Sequence, residues 1–193
     1  MLSYKESLKI LKETNALLEG HFILSSGLHS NQYVQCAKLL SKPKKAASIC
    51  SSLCEKIMKE FNTVDIILSP AIGGIVVGYE VGRQLNKETI FAERSKEQLI
   101  LRRGFKIIKN SNVLIVEDVI TTGKSALECS ELIKASNSKL VGYACIIDRS
   151  DNKSLIKDKI VSQIKLKMIT YRNTELPNSL KKILPTKPGS RSL

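Results

Sequence analysis

The chain has 193 residues, of which 42% are hydrophobic and 25% charged, with a formal net charge of +13. That composition supports one packed domain, and no run approaches the ~20 apolar residues of a membrane helix, which excludes a helical membrane protein. The positive balance predicts anionic partners, phosphates or acidic metabolites before nucleic acid, because aromatic side chains for base stacking make up only 5%.

The first twenty residues carry acidic side chains and no continuous apolar stretch, so no signal or transit peptide is read and the expected location is the cytoplasm. Leu8, Leu11 and Leu18 on a polar background predict an amphipathic helix over 3–18, with Ser3 as its cap. Residues 20–40 read as extended segments around turns at Gly20, Ser25-Ser26-Gly27 and Ser30-Asn31. Pro43 opens a helix reaching about Phe61. An alternation follows. Val64–Leu68 is a short strand, Gly73-Gly74 precede a helix over 75–85, and Thr89–Ala92 is a second strand. Residues 93–112 are polar and basic and predict a loop or hairpin. Val113–Val116 is a third strand, Gly123 starts a helix to about Ala135, and Val141–Ile147 is a fourth strand. Strands alternating with helices predict a parallel, doubly wound α/β sheet, and apolar strands predict burial on both faces. The Lys-rich tail from Ser150 holds one candidate strand or helix at 164–170 and ends in a Pro/Gly/Ser stretch expected to fray.

Five cysteines, none spaced C-x-x-C, read as buried free thiols. Of the 31 basic residues most are lysines, but Arg94, Arg102, Arg103 and Arg149 fall in or beside the segments that carry chemistry. Arginine recognises phosphate and carboxylate bidentately.

The most informative stretch is Val113–Ser125, reading V-L-I-V-E-D-V-I-T-T-G-K-S. An apolar strand ends in two adjacent carboxylates, Glu117 and Asp118, at the edge where open α/β sheets bind ligands. Two threonines and a glycine then lead into a helix. Backbone N–H groups at a helix start cradle anions. Carboxylates repel phosphate but suit sugar hydroxyls, so the order of residues asks for a sugar phosphate. Gly123-Lys124-Ser125 imitates the end of a P-loop, but Asp118 stands where that motif needs its first glycine.

Val113–Ser125 resembles the signature of type I phosphoribosyltransferases that binds phosphoribosyl pyrophosphate (PRPP). The segments 18–30 (L-E-G-H-F-I-L-S-S-G-L-H-S), 33–36 (Y-V-Q-C), 69–75 (S-P-A-I-G-G-I), 91–94 (F-A-E-R) and 102–105 (R-R-G-F) resemble the orotate branch of that family. The resemblance implies a parallel-sheet α/β core, about 43–150, under a small hood from terminal segments, mainly 18–40 and part of 150–185, in a single domain. It implies transfer of phosphoribosyl from PRPP to orotate. PRPP would meet Glu117, Asp118, Val119, Ile120, Thr121, Thr122, Gly123, Lys124 and Ser125, with Gly73, Gly74 and Arg94 on its pyrophosphate. Orotate would meet Thr121, Arg149, Tyr33 and Val34. Asp118 and the loop cations Lys96, Arg102 and Arg103 are the candidate catalytic groups. Mg²⁺ is implied, held mainly by substrate oxygens rather than a protein cage, and so is a homodimer that shares a loop. Many members of the family carry lysines where this chain has Ser25 and Gly73, and a histidine in the loop that this chain lacks. Purine or uracil acceptors, and a nucleic-acid-binding regulator without turnover, are the rival readings.

Overall fold

The computed structural model describes residues 1–24, 26–151 and 154–188. Ser3 caps helix α1 (Tyr4–Glu13) in a capping box with Glu6. The helix is shorter than its leucine spacing predicts. Thr14 is its C-cap and Asn15 takes a left-handed conformation, φ 56°, which turns the chain. Leu17 and Leu18 therefore begin strand β1 (Leu17–Ile23) instead of a further helical turn. The apolar period carries across the break because helix and strand face the same core.

β1 pairs antiparallel with β2 (His29–Val34), with an irregularity between Glu19 and Phe22. A short helix α2 (Cys36–Leu40), not expected from the sequence, leads to α3 (Pro43–Glu60), which begins at its proline as predicted. Then come β3 (Ile66–Pro70), α4 (Gly73–Leu85), β4 (Glu88–Ser95), β5 (Gln98–Leu101), β6 (Asn112–Ile120), α5 (Lys124–Ala135) and β7 (Lys139–Asp148). The polar 93–112 region resolves into a β4–β5 hairpin turning at Lys96-Glu97, then irregular chain. The tail supplies β8 (Ile160–Lys165), β9 (Thr170–Tyr171) and a four-residue helix α6 (Asn178–Lys181).

The six-stranded sheet has the order β5-β4-β3-β6-β7-β8. Every pairing is parallel except that of the edge strand β5. The element expected at 164–170 is thus a core strand lying earlier in the chain. Its register against β7 buries Val161 and Ile164. Alternate residues of β6 serve opposite faces. Leu114 and Val116 join the cluster of α1, α3 and α4, while Val113 and Ile115 join that of α5. The second sheet, β1-β2-β9, draws on both ends of the chain. Beyond β1, Thr186 bridges Phe22, and its N–H donates to the His21 carbonyl at 2.8 Å. The tail is therefore pinned at least that far. Ser25 and the terminal residues from Gly189 lie outside the described residues. All five cysteines are buried and free. No helix among the described residues is long and apolar enough to cross a membrane.

Candidate active site

The chain leaves β3 toward β4 on one side and returns in β6 toward β7 on the other, so the order of strands reverses between β3 and β6. Ligands bind in the crevice above such a switch point. Here the crevice is deepened by unequal strand lengths. β3 pairs with β6 only as far as Leu68 with Ile115. Beyond that point β6 continues to Ile120 with β7 alone as its neighbour. Glu117 and Asp118 thus belong to the strand itself and lie half-buried where the β3 side is open.

Burial pushes the Glu117 carboxyl up to about 8, assisted by the adjacent charge of Asp118. Asp118 is also raised by burial, partly offset by backbone N–H groups, and its Oδ1 accepts from the Val119 N–H at 2.9 Å. The first turn of α4 closes over it. A Cβ placed on Gly73 would overlap the Asp118 carboxylate, and one on Gly74 would press on Pro70 and Ser69. This chain needs glycine at 73, because the Asp118 carboxylate occupies the space a side chain would take.

On the other face Thr121 and Thr122 are exposed and Gly123 stands at the N-cap of α5 with φ 80°, a conformation that favours glycine. Gly123 has no side chain to cap the helix, and the Lys124 N–H makes only a long 3.4 Å bond to Thr122 Oγ1, which leaves N–H groups of the first turn for an anion. The loop is held from behind. The Leu155 N–H donates to the Thr122 carbonyl at 2.9 Å, and a Cβ on Gly123 would strike Ile156. Sequence reasoning missed these two backing residues, because only tertiary packing brings them here. Lys124 is exposed and Ser125 half-buried; Val119 is half-buried and Ile120 fully buried, so Ile120 offers the site backbone only.

Arg149 follows β7 directly, and its N–H donates to the Ile120 carbonyl at 2.8 Å. It is not paired with Asp148, whose carboxylate instead takes Ser150 at 2.6 Å and Lys165 at 3.6 Å. Arg149 Nε is buried and without a hydrogen-bond partner among the described residues. Burial holds the guanidinium below its usual value, and the ionisable group that acts against this is Tyr33 of the hood. Tyr33 is half-buried and donates to Gln35 at 3.2 Å. Val34 buries its side chain in the core cluster, so only its backbone is available to the site.

The hairpin cations are differently disposed. Arg94 pairs with Glu128 of α5 and donates to the Glu97 carbonyl, both at 2.6 Å. Arg103 makes a bidentate pair with Glu93 at 2.9 and 3.0 Å and lies over the Phe91 ring. Lys96, at the turn with φ 53°, and Arg102 are exposed and carry no ion pair among the described residues. Glu93 and Glu128, the counter-charges, were not legible without the strand register.

The phosphoribosyl transferase domain family matches residues 38–175. Orotate phosphoribosyltransferase of Chlorobaculum parvum is 44% identical over 191 residues, covering 99% of this chain and 98% of that one. That of Parvibaculum lavamentivorans is 42% identical over 189 residues, covering 96% and 97%. The chain belongs to the orotate phosphoribosyltransferase family. Among solved structures, orotate phosphoribosyltransferase from Aeropyrum pernix superposes with a TM-score of 0.71 at 23% identity, covering 82% of this chain and 93% of that one. Adenine phosphoribosyltransferase from Thermoanaerobacter pseudethanolicus gives 0.61 at 15%, covering 70% and 88%. At such identities the likeness is one of fold.

Proposed function

We propose that this phosphoribosyltransferase joins orotate to the phosphoribosyl group of PRPP, giving orotidine 5′-monophosphate and pyrophosphate. The observation that carries the choice of base is Arg149. A half-buried guanidinium with a buried Nε that has no partner among the described residues, and with Tyr33 of the hood as the ionisable group acting on it, complements an anionic acceptor such as the carboxylate-bearing orotate. An uncharged purine or uracil would leave it unmatched.

In this reading Glu117 and Asp118 accept hydrogen bonds from the ribose hydroxyls. Backbone N–H groups and hydroxyls of residues 121–125 hold the 5-phosphate, and the N–H groups at Gly73 and Gly74 meet the pyrophosphate. Thr121, Tyr33 and the Val34 backbone flank the base. The C1–oxygen bond to pyrophosphate breaks as the orotate ring nitrogen closes on C1, with positive charge developing on the sugar between them. Asp118 is placed to stabilise that charge and to handle a proton near the base. As the hairpin closes and excludes water, Arg94 and Arg103 exchange their ion pairs with Glu128 and Glu93 for pyrophosphate oxygens, joined by the exposed Lys96 and Arg102. The adjacent carboxylates at a phosphate cradle fit Mg²⁺, which is commonly held by one or two carboxylates plus substrate phosphates. When bound, the ion neutralises charge on the leaving pyrophosphate.

A homodimer belongs to the same proposal. Ile72, Val76 and Tyr79, at 82%, 47% and 65% exposure, leave an apolar stripe on the outer side of α4 beside the Gly73 turn. Such a stripe next to an active site suits a second copy of the chain.

The test is loss of orotate ultraviolet absorbance with the purified chain, PRPP and Mg²⁺, with adenine, hypoxanthine, guanine and uracil in parallel. Turnover with orotate alone is expected; turnover with another base and none with orotate would overturn the assignment. Asp118→Asn is expected to lower kcat on the order of 10²-fold with an unchanged circular-dichroism spectrum. Near-normal turnover would move the site elsewhere.

A further inference from the structure

Away from the crevice, a cavity of about 320 Å³ lies between the hood sheet and the C-terminal segment. His21, His29, Asn173, Lys181, Lys182 and Ile183 line it, with apolar residues completing the wall. Its volume is at the small end of ordinary ligand sites. Backbone hydrogen bonds just past the lining segment tie the tail to β1, Ile23 N–H to the Thr186 carbonyl and Thr186 N–H to the His21 carbonyl, both 2.8 Å.

The two histidines are buried, at 4% and 7% exposure, and form a chain whose protons can be assigned. His21 Nδ1 is 2.9 Å from the Ile183 carbonyl oxygen. A carbonyl only accepts, so that nitrogen carries the proton. Neutral His21 then presents a lone pair at Nε2, which lies 2.7 Å from His29 Nδ1. The second proton therefore sits on His29 Nδ1. His29 Nε2 is left as a basic nitrogen with no hydrogen-bond partner among the described residues, in a wall with two ammonium groups and no lining carboxylate. The charged or titratable groups that face it are His21 from β1, Lys181 at the end of α6 and Lys182 after it. One available imidazole nitrogen between two lysines disfavours a metal cation. It suits an oxyanion.

We propose that this cavity binds a phosphate-bearing small molecule, with its phosphate on Lys181, Lys182 and the protonated Nε2 of His29. Protonation there leaves the His21–His29 hydrogen bond intact, since Nδ1 of His29 still donates.

The chain has only two histidines, so ring ¹⁵N–¹H spectra of the full-length protein report the site directly. Without ligand, both rings are expected as Nδ1–H tautomers; Nε2–H on His29 would overturn the proton assignment and the proposal with it. The probes are sodium phosphate and uridine 5′-monophosphate, against sodium chloride at matched ionic strength. Phosphate is expected to shift the His29 ring resonances saturably. Lys181→Gln/Lys182→Gln is expected to weaken this response about tenfold or more while turnover without added phosphate stays unchanged. Tighter binding of the nucleotide assigns the apolar wall to its base and sugar; equal binding assigns the site to free phosphate. A His29 response no larger than that to chloride, or equal in the double variant, would overturn the proposal.

Discussion

Gly73 and Asp118 are far apart in the chain and compete for one space. The carboxylate fills the volume a side chain at 73 would need, so glycine is required there to make room for it. Arg149 shows the converse, a charge kept without a partner. A half-buried guanidinium whose buried Nε has no partner among the described residues carries a cost that a bound anion would offset. Arg149→Gln is therefore expected to raise KM for orotate by about thirtyfold or more, corresponding to about 2 kcal/mol or more, with KM for PRPP nearly unchanged. Steady-state kinetics with each substrate varied checks this. Glu117 makes a pH statement. Its folded value, about 8, lies above the ordinary carboxylate value of 4.5. Between those limits the folded state holds more protons than the unfolded state, so this residue's contribution falls as pH rises from about 4.5 to 8. Glu117→Gln is expected to unfold at a higher temperature than the parent above pH 8 in the absence of ligand, with the gap closing by pH 5. Thermal melts across that range decide it. An unchanged gap would mean the carboxyl ionises freely.

At the scale of elements, α4 approaches the sheet so closely that glycine is required along its inner face. A methyl at Gly78 would overlap the fully buried Ser69 hydroxyl at the end of β3. Gly78→Ala is expected to cost ~1–3 kcal/mol by overpacking, despite alanine's better helix propensity. Denaturant unfolding measures it; a stabilised variant would show that the helix can lift away. The sequence places this helix correctly from its glycine pair and apolar period. It does not place α1's end, because Leu17 and Leu18 keep the leucine rhythm while Asn15 turns the backbone. The sequence reads the polar stretch 93–112 as a loop or hairpin, without choosing between them. Its strand pairing and the Glu93 and Glu128 partners of its arginines depend on register and on a neighbouring helix.

For the whole molecule, the net charge of +13 and the apolar stripe on α4 point in different directions. The charge draws small anions and is expected to keep copies apart at low salt; the stripe supports pairing at one face. Tyr79→Glu is expected to shift the chain from dimer to monomer in sedimentation velocity. A dimer that survives this change would place the shared interface elsewhere.

By itself the sequence determined the alternation of strand and helix, the acidic pair, the threonine–glycine anion cradle and the family. Each of these is written in consecutive residues, where periodicity, side-chain chemistry and helix-start geometry act locally. Only the tertiary structure decided that β8 completes the core sheet and that β6 outruns β3 to open the crevice. It alone decided that Gly73 yields to Asp118, that Arg149 stands unpaired beside Tyr33, and that the tail returns to His21. Those facts join residues distant in the chain, and what joins them is competition for buried volume and for hydrogen-bond partners, which exists only once the chain has packed.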